Sequence, residues 1–220
     1  MPDTDTPDFA FEGPCAVLLH RPGRPFSDAV QAKIWRMAID LKAVPGVSET
    51  VPGMNNLLAT FDPLAIEGAE LERHMRQAWA EAGATESAQT IHDVPVVYGG
   101  EAGIDLEDFA TAKAMTVDEV IARHSAPLYS VAAVGAMPGF VYLSGLDPLL
   151  AAPRLASPRS GVPKGSVIIG GSQAGIMPVT APSGWHILGR TPLDLFDPHR
   201  ARPAFFQPGD RIRFVPETQA

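Results

Sequence analysis

Between residues 135 and 189 the chain is punctuated too densely for any long helix: 10 Gly and 7 Pro fill 17 of 55 positions. Each interior proline removes a backbone donor, and each interior glycine costs a helix about 1 kcal/mol. Comparable densities occur in low-complexity tails, but here the breakers alternate with Val, Ile, Phe, Tyr and Trp, which are strand formers. The stretch therefore reads as turn-rich β structure. Short strands are expected at 128–134, 166–169, 176–180, 185–188 and 211–215, and many short strands without long helices between them suggest a barrel or sandwich.

The preceding part alternates differently. An apolar run at 15–20 follows Gly13-Pro14 and reads as a strand. Ser27 is placed to cap a helix reaching about Ala43, with Val30, Ile34, Met37 and Leu41 on one face, and Pro45-Gly46 stops it. Extended runs at 47–51 and 56–61 flank Pro52-Gly53 in hairpin fashion. A second helix over 68–81 turns Leu71, Met75, Ala78 and Trp79 inward and ends at Gly83, and a strand at 94–98 closes the series. The order β-α-β-β-α-β is that of a split βαβ, ferredoxin-like unit over residues 1–98. A helical linker over 99–126 follows, with Asp105 capping its first helix and Thr116 and Glu119 forming a capping box on its second. Residues 127–220 form the β domain, and the fold class is α+β.

Charge separates the same two parts. Residues 1–123 carry 9 Lys and Arg against 20 Asp and Glu, whereas 124–220 carry 8 against 5. The net charge of −8 argues against nucleic acid or an anionic membrane as partner, since both need a cationic footprint. No run reaches the roughly 20 apolar residues of a membrane span. The acidic start lacks a signal peptide's cationic and apolar regions, and a cytoplasmic protein is expected. The lone Cys15 cannot form an internal disulfide and reads as an inert core thiol.

Common catalytic signatures are missing: there is no G-x-S-x-G, H-E-x-x-H, C-x-x-C or Walker-type loop. Gly170–Gly175 superficially resembles a phosphate loop but lacks the glycine spacing and the following helix. The six histidines show no paired ligand spacing, so no metal site is expected. His124, in the last turn of the capped helix, reads as a cation favoured by the helix terminus.

Residues 135–191 hold one acid, Asp147, against Arg154, Arg159, Lys164 and Arg190. Cations beside glycine-exposed amides suit a small anionic ligand, because Arg grips a carboxylate or phosphate at two points. The alternative is that these cations are solvated loop charges. Asp147-Pro148 reads as a turn, and Asp147 acts as a base only if burial raises its pKa. Phe140 and Trp185 read as core, or as the wall of a small-molecule pocket. His186 must point to the opposite side of its strand from Trp185. Ser166, Gln173 and Ser183 either donate to a ligand or finish turns. On this reading Arg159, Lys164 and Arg190 share one concave pocket.

At these residues the chain resembles a known family. Residues 135–147, G-A-M-P-G-F-V-Y-L-S-G-L-D, are similar to the signature "G-F-x-P-G-F-x-Y-L-x-G-L-D" of the family that contains the B subunit of 5-oxoprolinase, allophanate hydrolase subunit 1 and the sporulation-kinase inhibitor. Pro153-Arg154, Pro158-Arg159, residues 162–167, residues 171–176, Gly184-Trp185 through Leu193 and Leu195–Pro198 match its later motifs in order. Phe61-Asp62-Pro63 and Gly209-Asp210 also fit, so the likeness spans about residues 12–216. Ala136, Val141, Ala174 and Met177 depart from it, the last two by losing hydroxyls from the presumed cleft. The resemblance implies a C-terminal cyclophilin-like barrel and a subunit of an ATP-dependent amide or lactam hydrolase, most simply one that opens 5-oxoproline to glutamate. It further implies a homologous second subunit and a third component, ATP at the level of the complex, and little activity alone. One branch of the family instead regulates a sensor histidine kinase, which gives the alternative function. Proline isomerisation would rest on barrel likeness alone, and a fold does not supply a site.

Overall fold

The structure is a computed structural model that describes residues 6–24, 26–82 and 90–217. It divides into two compact units, residues 1–88 and 89–220.

The first unit runs β1 (Asp8–Phe11), β2 (Ala16–His20), α1 (Asp28–Asp40), β3 (Val47–Gly53), β4 (Asn56–Phe61) and α2 (Gly68–Glu81). Its sheet has the order β1-β2-β4-β3 and is antiparallel throughout. Alternation in β2 and β4 sends Val17, Leu19, Leu57, Ala59 and Phe61 to one face, where they meet Ile34 and Met37 of α1 and Leu71 and Met75 of α2. Ser27 caps α1, its hydroxyl accepting from the Val30 amide at 3.4 Å, and a 3-10 turn at Leu41–Ala43 extends the helix to its predicted end. The hairpin turn is Met54-Asn55 and not Pro52-Gly53, which lie within β3. Asn55 adopts the left-handed φ of 56° that such a tight turn requires, and the Gln31 side chain caps its amide. Cys15 precedes β2 and is only half-buried. Gly83 lies outside the described residues.

The second unit comprises β5 (Ile91–Tyr98), α3 (Leu106–Ala112), α4 (Val117–Ser125), β6 (Tyr129–Val134), β7 (Val141–Ser144), β8 (Arg159–Val162), β9 (Ser166–Gly170), β10 (Gln173–Ile176), β11 (Ala181–Ser183), β12 (His186–Arg190) and β13 (Arg211–Glu217). Seven strands close a barrel in the order β10-β7-β6-β13-β5-β12-β9, while β8 and β11 form a separate ribbon. A closed barrel of this kind is consistent with the cyclophilin-like fold. The strand expected at 176–180 is displaced to 173–176, and three short strands escaped prediction: β7, β8 and β11.

Four expectations are corrected. The strand at 94–98 does not close the first sheet. As β5 it lies between β12 and β13 of the barrel, and the N-terminal strand β1 occupies the open edge beside β2. An apolar strand carries no mark of which sheet it joins, so the split βαβ assignment fails at this point. The supposed linker helices likewise pack into the barrel core, through Leu106, Phe109, Ala110 and Val120. The capping box on α4 is present: Thr116 Oγ1 accepts from the Glu119 amide at 3.2 Å and the Glu119 carboxylate accepts from the Thr116 amide at 2.8 Å. Asp105, by contrast, makes no capping bond to α3.

His124 is also not a helix-end cation. It is fully buried, stacked on Phe214 with ring centres 4.6 Å apart, and its Nδ1 lies 2.7 Å from the Tyr98 hydroxyl. Its Nε2 is buried with no hydrogen-bond partner among the described residues. Burial pushes its pKa down to about 3. The unfolded chain, with a histidine pKa of about 6.5, then binds the proton more readily than the folded one. The stability from neutral His124 is therefore complete above about pH 6.5 and drains away as the pH falls toward 3. Urea melts should show stability falling between pH 7 and pH 5, and His124→Gln, destabilised by about 1–3 kcal/mol at pH 7, should show a shallower fall. Equal pH slopes in the two proteins would refute the assignment.

Candidate functional site

Period-two alternation sorts the barrel strands into two sets. Val141 and Leu143 of β7, Val167 and Ile169 of β9, and Ala174 and Ile176 of β10 fill the interior. Their neighbours Tyr142, Ile168, Gly170 and Gly175 therefore face outward, and a second apolar cluster gathers there: Phe140, Val162, Ile168, Met177, Trp185 and Ile187. The predicted aromatic residues are thus brought together outside the barrel. Phe140, Tyr142 and Trp185 stand in mutual edge-to-face contact, with ring centres 4.8, 5.8 and 6.1 Å apart.

Trp185 has room because two glycines leave backbone bare beneath it. A methyl group added at Gly170 would sit 2.5 Å from the indole ring, and one added at Gly175 would meet both Phe140 and Trp185 within 3.2 Å. Over this floor opens a hollow of about 310 Å³. Barrel residues supply its aromatic wall, and Pro158 with Pro182, Ser183 and Gly184, at the ends of the β8–β11 ribbon, supplies the opposite rim.

Arg154 is the cation of this hollow. Its guanidinium lies 5.6 Å above the Trp185 ring. A strap of chain puts it there: the Leu155 amide donates to the Gly184 carbonyl at 2.7 Å, and His186 Nε2 lies 2.9 Å from the Pro153 carbonyl oxygen. A carbonyl only accepts, so Nε2 carries the hydrogen and His186 works as a strap-holder. Trp185 is buried and His186 half-exposed, on opposite sides as expected.

None of the other predicted cations, Arg159, Lys164 and Arg190, lines this hollow. Arg159 grips the buried carboxylate of Asp105, one bond being 2.8 Å, and the Ile187 amide donates to the same carboxylate at 2.7 Å. Asp105 thus ties β8, β12 and the start of α3. Lys164 donates to Asp194 at 2.6 Å, which holds that carboxyl below its usual pKa. Arg190 ends β12, exposed, opposite Ser166. Ser166 is fully buried and its hydroxyl has no partner among the described residues. Gln173 opens β10 opposite Gly170, half-buried.

Asp147 forms the predicted turn, accepting from the Leu149 amide, and also pairs with Arg123, both at 2.9 Å. The Leu149 amide bond first, and then Arg123, hold its pKa below the ordinary carboxylate value, so it is not a base poised near neutrality. The departures at 174 and 177 separate as well: Ala174 faces the barrel interior, whereas Met177 lines the hollow. Tyr142 escaped the sequence reading, although its position two residues from Phe140 places both on one face. A larger hollow, about 660 Å³, lies in the first unit between α1 and α2, where Arg36 pairs with Asp40 and Gln77 with Glu81 on their own helices. It gathers none of the predicted site residues.

With this geometry in hand, comparison with known proteins identifies the family. Residues 8–206 match the model of the carboxyltransferase domain, subdomain C and D. The chain belongs to that family. It is 41% identical over 198 residues to the B subunit of 5-oxoprolinase from Escherichia coli O157:H7, covering 89% of each chain. The crystal structure of TTHA0988 superposes with a TM-score of 0.81 at 32% identity, over 93% of this chain but only 40% of that one. The K. lactis urea amidolyase shares the fold, with a TM-score of 0.81 at 18% identity, and this chain spans 15% of it and 99% of itself.

Two substitutions probe how the hollow is built. Gly170→Ala should displace the indole, costing about 1–3 kcal/mol in urea melts and shifting tryptophan emission to longer wavelength. Asp105→Asn should destabilise the second unit by about 1–3 kcal/mol, a range reduced because the Arg159 side chain is 34% exposed. Wild-type melts for either variant would contradict the packing described.

Proposed function

We propose that this chain is a subunit of a 5-oxoprolinase, which opens the cyclic amide 5-oxoproline to glutamate at the expense of ATP, acting with a homologous second subunit and a third component and having little activity alone. The observation that carries the reading is the 41% identity with the B subunit of the E. coli 5-oxoprolinase along nearly the whole of both chains. The hollow beside Trp185 supports it. A carboxylate meets Arg154, and the flat ring lies against Phe140, Tyr142 and Trp185, whose bulk keeps water from its faces. Ser183 lines the same rim, its hydroxyl already accepting from the Trp185 amide at 3.3 Å.

Nucleotide is assigned to the complex and not to this hollow. A triphosphate needs several uncommitted cations or a phosphate-cradling loop before a helix. Here Arg159 and Lys164 are held by carboxylates, and residues 170–175 are the end of β9, a two-residue turn at Gly171-Ser172 and the start of β10, with no helix after them. The residues present do not fit ATP. This chain's contribution is to bind the anion, orient its ring and exclude water.

Glutamate release from 5-oxoproline and ATP, measured with the three components reconstituted, should vanish when this chain is left out. Arg154→Ala should lower kcat/KM by about 10-fold or more, mostly through KM, because the lost interaction binds substrate. A chain that adds nothing to glutamate release but blocks autophosphorylation of a histidine kinase would replace this reading with the regulatory one.

A further inference from the structure

We infer that the hollow beside Trp185 selects a monocarboxylate whose remaining body is uncharged, and so discriminates the closed lactam from its own ring-opened product. The inference rests on the proposed reading for the names of substrate and product; its charge rule stands on the lining alone.

That lining contains one charged side chain. Arg154 faces the cavity with Met137, Phe140, Tyr142, Met177 and Trp185, and none of the residues bounding it is Asp, Glu or Lys. Arg154 sits over the indole and has no ion pair among the described residues, whereas Arg159 and Lys164 of the same unit are each committed to an aspartate. One uncommitted guanidinium satisfies one carboxylate. The rest of the wall, aromatic and thioether, rewards a flat neutral body and offers a charged one nothing, since a charge moved against apolar walls loses its water without gaining a partner.

Ring opening changes the ligand in just this respect. Water adds across the ring C–N bond, the acyl carbon keeping the oxygen as a new carboxylate and the nitrogen taking up the protons to become an ammonium. Net charge stays at −1, but two further charges appear on a body that had none. The hollow holds no carboxylate for the ammonium and no second cation for the new carboxylate. Product is therefore expelled by the same lining that admits substrate.

Calorimetric titration of the full chain, and of the reconstituted complex, tests this with four ligands: 5-oxoproline, 2-pyrrolidinone, which lacks the carboxylate, glutamate, and cyclopentanecarboxylate, which lacks the amide. Both ring carboxylates should bind at least about 10-fold more tightly than 2-pyrrolidinone or glutamate, and Arg154→Gln should remove that advantage, a charge-assisted bond being worth at least that factor. Equal binding of the neutral lactam, equal binding of glutamate, an Arg154→Gln variant that binds like wild type, or binding of neither ring carboxylate would each overturn the inference. Arg154-dependent binding of cyclopentanecarboxylate with rejection of 5-oxoproline would uphold the charge rule and defeat the lactam reading.

Discussion

The contact on which the site depends is that of an indole ring with bare backbone. Gly170 and Gly175 sit on neighbouring strands, facing out of the barrel, and Trp185 lies where their side chains would otherwise stand. With the ring set down on β9 and β10, Phe140 and Tyr142 meet it edge-on. Arg154 then has a π face to cover. The aromatic wall and the guanidinium of the hollow thus meet on a ring that no larger pair of residues would admit.

The cations show how a charge census misleads. Four of them in a segment with a single acid suggest a strongly anion-binding surface, yet the acids that answer two of them come from outside it: Asp105 from the start of α3 and Asp194 from beyond β12. Of the other two, Arg190 stands exposed at the end of β12 and only Arg154 lines the hollow, held in place by a strap whose own bonds run to Gly184 and His186. A positively charged segment thus presents a single guanidinium to the hollow.

Local features were legible in the sequence where a residue acts on its own neighbours. Ser27, Thr116 with Glu119, and the Asp147 turn all do what their spacing implies. Phe140 and Trp185 converge as pocket wall and core together. What could not be read is long-range partnership. The strand at 94–98 looks the same whichever sheet it joins, His124 looks like a helix-end cation until Tyr98 and Phe214 close around it, and nothing in the residues near Asp105 announces Arg159, 54 positions away. Register also decides function invisibly: one step along β10 separates Ala174, inside the barrel, from Gly175 under the indole.

The pairing of β5 with β13 has a consequence for how the chain comes to be folded. These strands run parallel over seven residues, from Arg211 beside Ile91 to Glu217 beside Val97, and they are among the last and the first of the second unit. This ring of strands is sealed only by bringing together the two segments of the unit that lie farthest apart in sequence. Sequence-distant closure is slow because the loop entropy is lost before the contacts form. The first unit has no such delay, its sheet being complete by Phe61 and its second helix by Glu81. The barrel is thus the part of this chain whose contacts span the greatest sequence distance, and the first unit, built from elements adjacent in sequence, asks least of loop closure.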